Sequence, residues 1–220
     1  MLGEWVLRSG LGATGRANSV WPTGDPGVPV ASAVDEAERW YREQGLRPNF
    51  QLFAGTDSEL VAELDRRGYG GREGAVVMTA ELSDLVFAPD PPGVQLVSEA
   101  EPSEHQFVLM DDVDRMAELT AADLDRRFIA VLDSAGGLLG GGVAVRDGAW
   151  VGVFAMKTLP EARRRGVATR VLEEIARWSE VTGAERMWLQ VVGTNSAARA
   201  LYRRAGLVDS HLYQYRHHAD

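Results

Sequence analysis

The chain has 220 residues, 45% of them hydrophobic and 25% charged, and a net charge of −9. That composition belongs to one large folded domain or two small ones, and the negative charge disfavours nucleic acid as a partner. There is no cysteine, no apolar run of about 18 residues and no secretory leader pattern. Disulfides, thiolate metal sites, a cysteine nucleophile, a membrane span and export are therefore set aside, with the cytoplasm as the expected compartment.

In chain order, 5–8 and 16–20 read as a hairpin, 31–43 as a helix, 50–53 as a strand, 58–67 as a helix and 75–82 as a strand. Residues 88–93 hold three prolines in six positions and fit neither a helix nor a central strand. The domain boundary is drawn there: a first module over 1–88, a linker over 89–93 and a second module over 94–220. In the second module, 94–98 begins the sheet and 103–126 reads as two short acidic helices. Strands follow at 128–132, 138–146 and 149–158, the last two joined by the turn signal Asp147-Gly148. A loop over 160–166 leads to a helix over 167–182, where Val167, Val171, Leu172, Ile175 and Trp178 recur at helical spacing. Then come a strand over 186–192, a helix over 196–205 capped by Asn195, and a final strand or pair of strands over 207–216.

The two modules share a repeat. A shift of 138 residues aligns 3–68 with 141–206 without a gap and gives 15 identities in 66 positions, where chance gives roughly 4 at ordinary residue frequencies. Arg39-Trp40 falls on Arg177-Trp178, Gly45 on Gly183, Gly55-Thr56 on Gly193-Thr194 and Gly68 on Gly206. The first module has no counterpart of residues 93–137.

Charge is uneven. Residues 1–92 carry 8 basic against 14 acidic side chains, 93–162 carry 5 against 12, and 163–220 carry 10 against 6. An anionic ligand is thus expected near the last quarter. There, Arg163-Arg164-Arg165-Gly166-Val167-Ala168-Thr169 closes a strand–loop and opens a helix. The first-turn N–H groups of a helix lack internal partners and sit at the positive end of its dipole. Small residues at Gly166 and Ala168 let an anion reach them, which suits a pyrophosphate. On these residues alone, a solvated basic loop is an equal alternative.

Arg163-x-x-Gly166-x-Ala168 after a strand resembles the acetyl-CoA pyrophosphate loop of the GNAT N-acetyltransferase superfamily. The stretch Asn195-Ser196-Ala197-Ala198-Arg199-Ala200-Leu201-Tyr202, ending in Gly206-Leu207, resembles the same superfamily's second signature. The resemblance covers about 94–216. It implies an α/β (α+β) fold: a mixed, largely antiparallel twisted sheet flanked by helices, preceded here by a reduced, degenerate copy. It implies acetyl-CoA as co-substrate, and transfer to a primary amine in a ternary complex. Met156, Lys157 and Thr158 would pair their backbone with the pantetheine arm, where the strand splays from its neighbour near Ala155. Arg163, Arg164, Arg165, Gly166, Val167, Ala168 and Thr169 would hold the pyrophosphate. Asn195 would lie near the pantetheine, and Tyr202 would protonate the leaving thiolate.

Two departures stand out. The strand over 149–158 lacks the carboxylate that many members use as general base, so the base is unassigned. Asp111, Asp112 and Asp114 are candidates by location only, and His105, His211, His217 and His218 in principle. The scattered histidines show no ligand spacing, so no metal is expected. In the first module, Arg163 to Ala168 become Asp25, Pro26, Gly27, Val28, Pro29 and Val30, Asn195 becomes Asp57 and Tyr202 becomes Leu64. Two prolines remove donors and an aspartate replaces a cation, so this module is expected to bind no acetyl-CoA. Asn18, Trp21, Trp40 and Tyr41 are its candidates for reaching a substrate. The acceptor is a small-molecule or peptide amine, and the acidic 99–125 stretch suggests a cationic one. A catalytically silent acyl-CoA-binding or regulatory protein is the alternative. A dinucleotide-binding enzyme fails for want of a glycine fingerprint.

Overall fold

A computed structural model describes residues 2–71, 74–87, 89, 93–110, 113–121 and 123–218. The chain divides into two compact units. The first takes its described residues from Met1–Val76, Ala117–Ala121 and His211–Asp220, the second from Val77–Met116 and Ala122–Ser210.

The first unit opens with β1 (Trp5–Leu7) antiparallel to β2 (Val20–Pro22). The helix α1 (Val30–Glu43) buries Val30, Ala33, Val34, Ala37 and Tyr41, one face at three- and four-residue steps. Then come β3 (Asn49–Phe53), α2 (Ser58–Arg66), burying Leu60 and Leu64, and β4 (Tyr69–Gly71). The sheet is completed from far along the chain, by residues 211–218 of the strand β11 (Val208–His218). β11 pairs antiparallel with β3, Tyr213 opposite Phe53 and His217 opposite Asn49, and antiparallel with β4. Trp5, Phe50 and Tyr69 meet edge to face in the core, beneath both helices. Outside it, Arg67 ties α1 to α2 through Glu63, Asp35 and Glu38.

The expected strand over 16–20 is corrected. Residues 10–18 wind around Asn18 instead. Its Oδ1 accepts from the N–H groups of Gly10 and Gly12, and its amide donates to the Thr14 carbonyl and to Glu118. These bonds compete with a ladder and delay the strand to Val20.

The second unit holds residues 77–81 of β5 (Ala75–Glu81), then β6 (Val94–Glu99), α3 (Glu104–Met110), the start of α4 (Val113–Thr120), β7 (Asp125–Asp133), β8 (Leu138–Asp147), β9 (Trp150–Thr158), α5 (Val167–Val181), β10 (Arg186–Val192), α6 (Ser196–Arg204) and the start of β11. Its strand order is β5-β10-β9-β8-β7-β6. β6 to β9 run antiparallel to one another, and β10 is parallel to β9. This is the mixed, largely antiparallel sheet expected.

The compact units cut the chain elsewhere than the proline-rich stretch. The segment before it is already bonded into the second unit: Leu82 N–H reaches the Glu185 carbonyl at 2.7 Å, Val86 N–H reaches the Ala205 carbonyl at 3.0 Å, and Arg186 pairs with Glu81. Of the 89–93 linker, 90–92 lie outside the described residues. Between units, α2 and α6 lie 138 residues apart at both ends. Gly45 and Gly68 stop α1 and α2 at positive φ, as Gly183 and Gly206 do after α5 and α6.

Among the described residues, no helix is long and apolar enough to cross a membrane.

Candidate active site

The site is built on β9. Along β8, Gly141 pairs with Lys157 but Val143 pairs with Phe154, so Ala155 and Met156 face the single residue Gly142. This is a β-bulge, and Ala155 takes the left-handed φ of 51° that it requires. On the other edge, β10 pairs with β9 only from Trp150 to Val153, opposite Arg186 to Leu189. Beyond Val153 the ladder stops, although β9 runs on to Thr158 and β10 to Val192. The bulge turns β9 away from β10, so the strands part where the sequence reading expects a splay. Phe154 and Trp188 pack edge to face at the fork, their centroids 5.3 Å apart.

After β9, Leu159 N–H bonds to the Leu139 carbonyl and Pro160–Ala162 forms one tight turn. Arg163, Arg164, Arg165 and Gly166 are exposed. Arg164 (φ 59°) and Gly166 (φ 81°) are both left-handed. Such turns point successive N–H groups to one side, as anion-binding nests do. No side chain caps α5, and its first return bond runs from Arg170 N–H to the Gly166 carbonyl. The N–H groups of Val167, Ala168 and Thr169 precede that bond and have no acceptor within the helix. An anion here meets donors, a helix dipole and exposed guanidinium groups.

Glycines in β8 bring this helix start close to the sheet. A Cβ on Gly140 would lie 2.6 Å from the Lys157 carbonyl oxygen and 2.9 Å from Val167 Cγ1. One on Gly142 would lie 2.8 Å from Met156 Sδ and 3.1 Å from Val171 Cγ1. The sequence reading missed this role. The signal was available in three consecutive glycines inside a strand, which mark close approach by another element.

The other named residues fall as follows. Lys157 Nζ donates to the Leu109 carbonyl at 2.9 Å, so its side chain is engaged on α3 while its backbone lies on the stretch of β9 that pairs with β8 but not with β10. Asn195 caps α6, its Oδ1 accepting from Ala198 N–H at 3.1 Å. Because β9 and β10 are parallel, the loops after them leave the same edge of the sheet, which brings the 163–169 loop and the Asn195 cap to one end. Tyr202 is buried on α6, and burial pushes its phenol above the ordinary value. It therefore holds its proton at neutral pH. Of the proposed bases, Asp111 and Asp112 lie outside the described residues, and Asp114 is exposed on α4. His211 and His218 are exposed, and His105 and His217 half-buried. Among the described residues, no three His, Asp or Glu side chains group as metal ligands do.

Comparison with known proteins gives three kinds of match. The family described as "Probable histone acetyltransferase Rv0428c C-terminal" matches residues 1–216. The "Uncharacterized N-acetyltransferase YobR" of Bacillus subtilis is 28% identical over 225 residues, covering 98% of this chain and 90% of that protein. A GCN5-related N-acetyltransferase from Kribbella flavida superposes with a TM-score of 0.66 at 18% identity, covering 93% of this chain and 82% of its own. A tandem GNAT protein from the clavulanic acid biosynthesis pathway gives 0.65 at 11% identity, covering 90% and 74%. These two similarities speak to the fold.

Proposed function

The chain belongs to the Rv0428c C-terminal acetyltransferase family within the GNAT superfamily, and on that premise we propose that it transfers the acetyl group of acetyl-CoA directly to a primary amine. The observation that carries this reading is the fork between β9 and β10 beside the uncapped start of α5. In this reading, the backbone of Met156, Lys157 and Thr158, open on the side that β10 has left, pairs with the pantetheine amides. The 163–169 loop takes the pyrophosphate. The amine nitrogen attacks the thioester carbonyl, a C–N bond forms, the C–S bond breaks, and the thiolate leaves with a proton from Tyr202. The amine's own proton goes to solvent or to a carboxylate outside β9, which carries none. Residues 1–88 serve as a degenerate partial copy. The acceptor is a small-molecule or peptide amine; the acidic helices and the wording of the family description favour a basic one.

The absence of a carboxylate on β9 favours one second reading, a silent acyl-CoA-binding protein. Calorimetric titration with acetyl-CoA, followed by thiol release in the presence of an amine panel, separates the two. One site with amine-dependent thiol release supports transfer. One site without release supports the silent reading. No binding removes both.

A further inference from the structure

The helix α3 is seven residues long, Glu104–Met110. A helix that short does not hold itself in water, so its place is set by what it bonds to. At its start, Gln106 Oε1 accepts from Ser103 N–H at 3.0 Å and from Ser103 Oγ at 2.7 Å. Gln106, Leu109 and Met110 are buried, while Phe107 and Val108 are 50% and 60% exposed. The Leu109 carbonyl lies in the last turn, where the helix has no further N–H to offer it. Lys157 Nζ supplies a donor at 2.9 Å. An ammonium is also favoured there by the negative end of the helix dipole.

The sheet prepares this contact. Lys157 on β9 pairs with Gly141 on β8. Cross-strand partners share a face, so the Lys157 side chain leaves the face on which Gly141 has none. A Cβ on Gly141 would lie 2.6 Å from Leu109 Cδ1. Its absence lets the last turn of α3 rest on the sheet beside the ammonium. Lys157 is also the only lysine among 23 basic side chains. A planar guanidinium suits a bidentate acceptor, whereas a compact ammonium on a flexible stem suits a single carbonyl. The backbone of the same residue belongs to the stretch 156–158 that β10 has left, where the transfer reading puts the pantetheine. One residue thus joins the edge offered to the cofactor to the end of α3.

We propose that Lys157 is a positioning residue whose side chain ties α3 to β9, so that acetyl-CoA paired along 156–158 tightens the last turn of α3. The ligand in this proposal rests on the transfer reading, and the coupling rests on the bond from Lys157 to Leu109. Pairing with the pantetheine fixes the Lys157 backbone. The side chain then has less freedom to lose when it meets the carbonyl, and the bond opens less often. Because α3 lies in the acidic 99–125 stretch expected to meet the amine, this bond passes the state of the cofactor edge to the acceptor side.

The test is peptide-resolved hydrogen exchange of the intact protein, with and without saturating acetyl-CoA, in the wild type, Lys157→Met and Lys157→Arg. The start of α5 is the internal gauge of binding, because its N–H groups are offered to the pyrophosphate without the Lys157 side chain. In the absence of ligand, Lys157→Met speeds exchange over 104–110 by about fivefold, the scale of one cation at a helix end, and Lys157→Arg restores much of the protection. Acetyl-CoA slows exchange over 104–110 in the wild type and in Lys157→Arg but not in Lys157→Met, while the start of α5 is protected in all three. Unchanged exchange over 104–110 in ligand-free Lys157→Met overturns the tie. Protection of α5 without protection of 104–110 in the wild type, or equal protection of 104–110 in the wild type and Lys157→Met, overturns the coupling. A wild type in which acetyl-CoA leaves even the start of α5 unprotected defeats the transfer reading and this proposal together, and the bare α5 distinguishes that outcome from the others.

Discussion

Ahead of α5, the second unit leaves a left-handed, arginine-flanked loop with no side-chain cap. At the corresponding place ahead of α1, the first unit supplies its own carboxylates. Glu4 Oε2 accepts from Asp25 N–H at 2.7 Å, and Asp25 Oδ1 accepts from Gly27 N–H at 2.8 Å. Pro26 and Pro29 have no N–H to offer. By the 138-residue shift, Glu4 stands where Gly142 stands and Asp25 where Arg163 stands. A cavity of about 500 Å³ persists in the first unit over Thr23–Pro26 and Gly55–Asp57, but its charged lining is Asp25, Asp57 and Glu59. The two aligned stretches thus differ in what precedes the helix: exposed arginines and unpartnered first-turn N–H groups ahead of α5, carboxylates and prolines ahead of α1. Over the aligned stretches the difference lies in side chains, not in the order of strands and helices.

The sharpest way to break that contrast is to move the loop. Replacing 163–168 with the sequence of 25–30 should cost at least two charge-assisted bonds of about 1.5–3 kcal/mol each. Acetyl-CoA affinity should then fall by about 100-fold or more, read by calorimetry. Filling the glycine gap comes next. Gly140→Ala forces a Cβ against backbone at 2.6 Å and should destabilise by about 1–3 kcal/mol. Gly45→Ala meets no atom within 4 Å and should cost about 1 kcal/mol through its positive φ alone. Chemical denaturation of both variants checks the order.

Tyr202→Phe should lower kcat about 10–100-fold with little change in the KM for acetyl-CoA. The pH profile tests the role further. An acid whose pKa is raised works until pH climbs through that raised value, so Tyr202 should give no loss of rate below its ordinary value of about 10. An unchanged kcat in the phenylalanine variant removes it from the mechanism. The caps form a matched pair: Asn195→Ala and Asp57→Ala should each cost about 1 kcal/mol, seen as similar shifts in Tm. The smallest effect belongs to the first unit alone. Bonds from Arg66 and Arg67 hold the Glu63 carboxyl down at about 2. Its stabilising contribution is complete above its ordinary value and is lost as pH falls toward 2. Glu63→Gln should flatten the pH dependence of Tm across that window, whereas Leu201, its counterpart, has nothing to titrate.

Much of this was legible because it is local. The helices α5 and α6 follow from the helical spacing of Val167 to Trp178, the Asn195 cap and the closing glycines Gly183 and Gly206, all local signals. The loop after β9 was readable from its arginines and small residues. What escaped depends on distant partners. Nothing near Arg16 shows that Asn18 and Glu118 will hold 10–18 out of a ladder. The prolines of 88–93 mark a break in regular structure, but they do not show that 82–86 bonds to residues near 185 and 205. The glycine run 140–142 signals a close approach, but only the structure identifies what approaches: Val167, Val171 and Met156.

The strand β11 has a consequence in time. β3 and β4 are each paired to it, at sequence separations of 160–168 and 145–149 residues. A ribosome delivers residues 2–71 long before 211–218, so the first unit waits with a half-built sheet while the whole second unit is made. Until then Phe50, Leu52 and Tyr69 sit on strands whose shared neighbour does not yet exist. Long-range pairing of this kind is slow and exposes strand edges meanwhile. Protease sensitivity of nascent chains stalled before residue 211 should expose that interval, and it should close once residue 218 has cleared the exit tunnel.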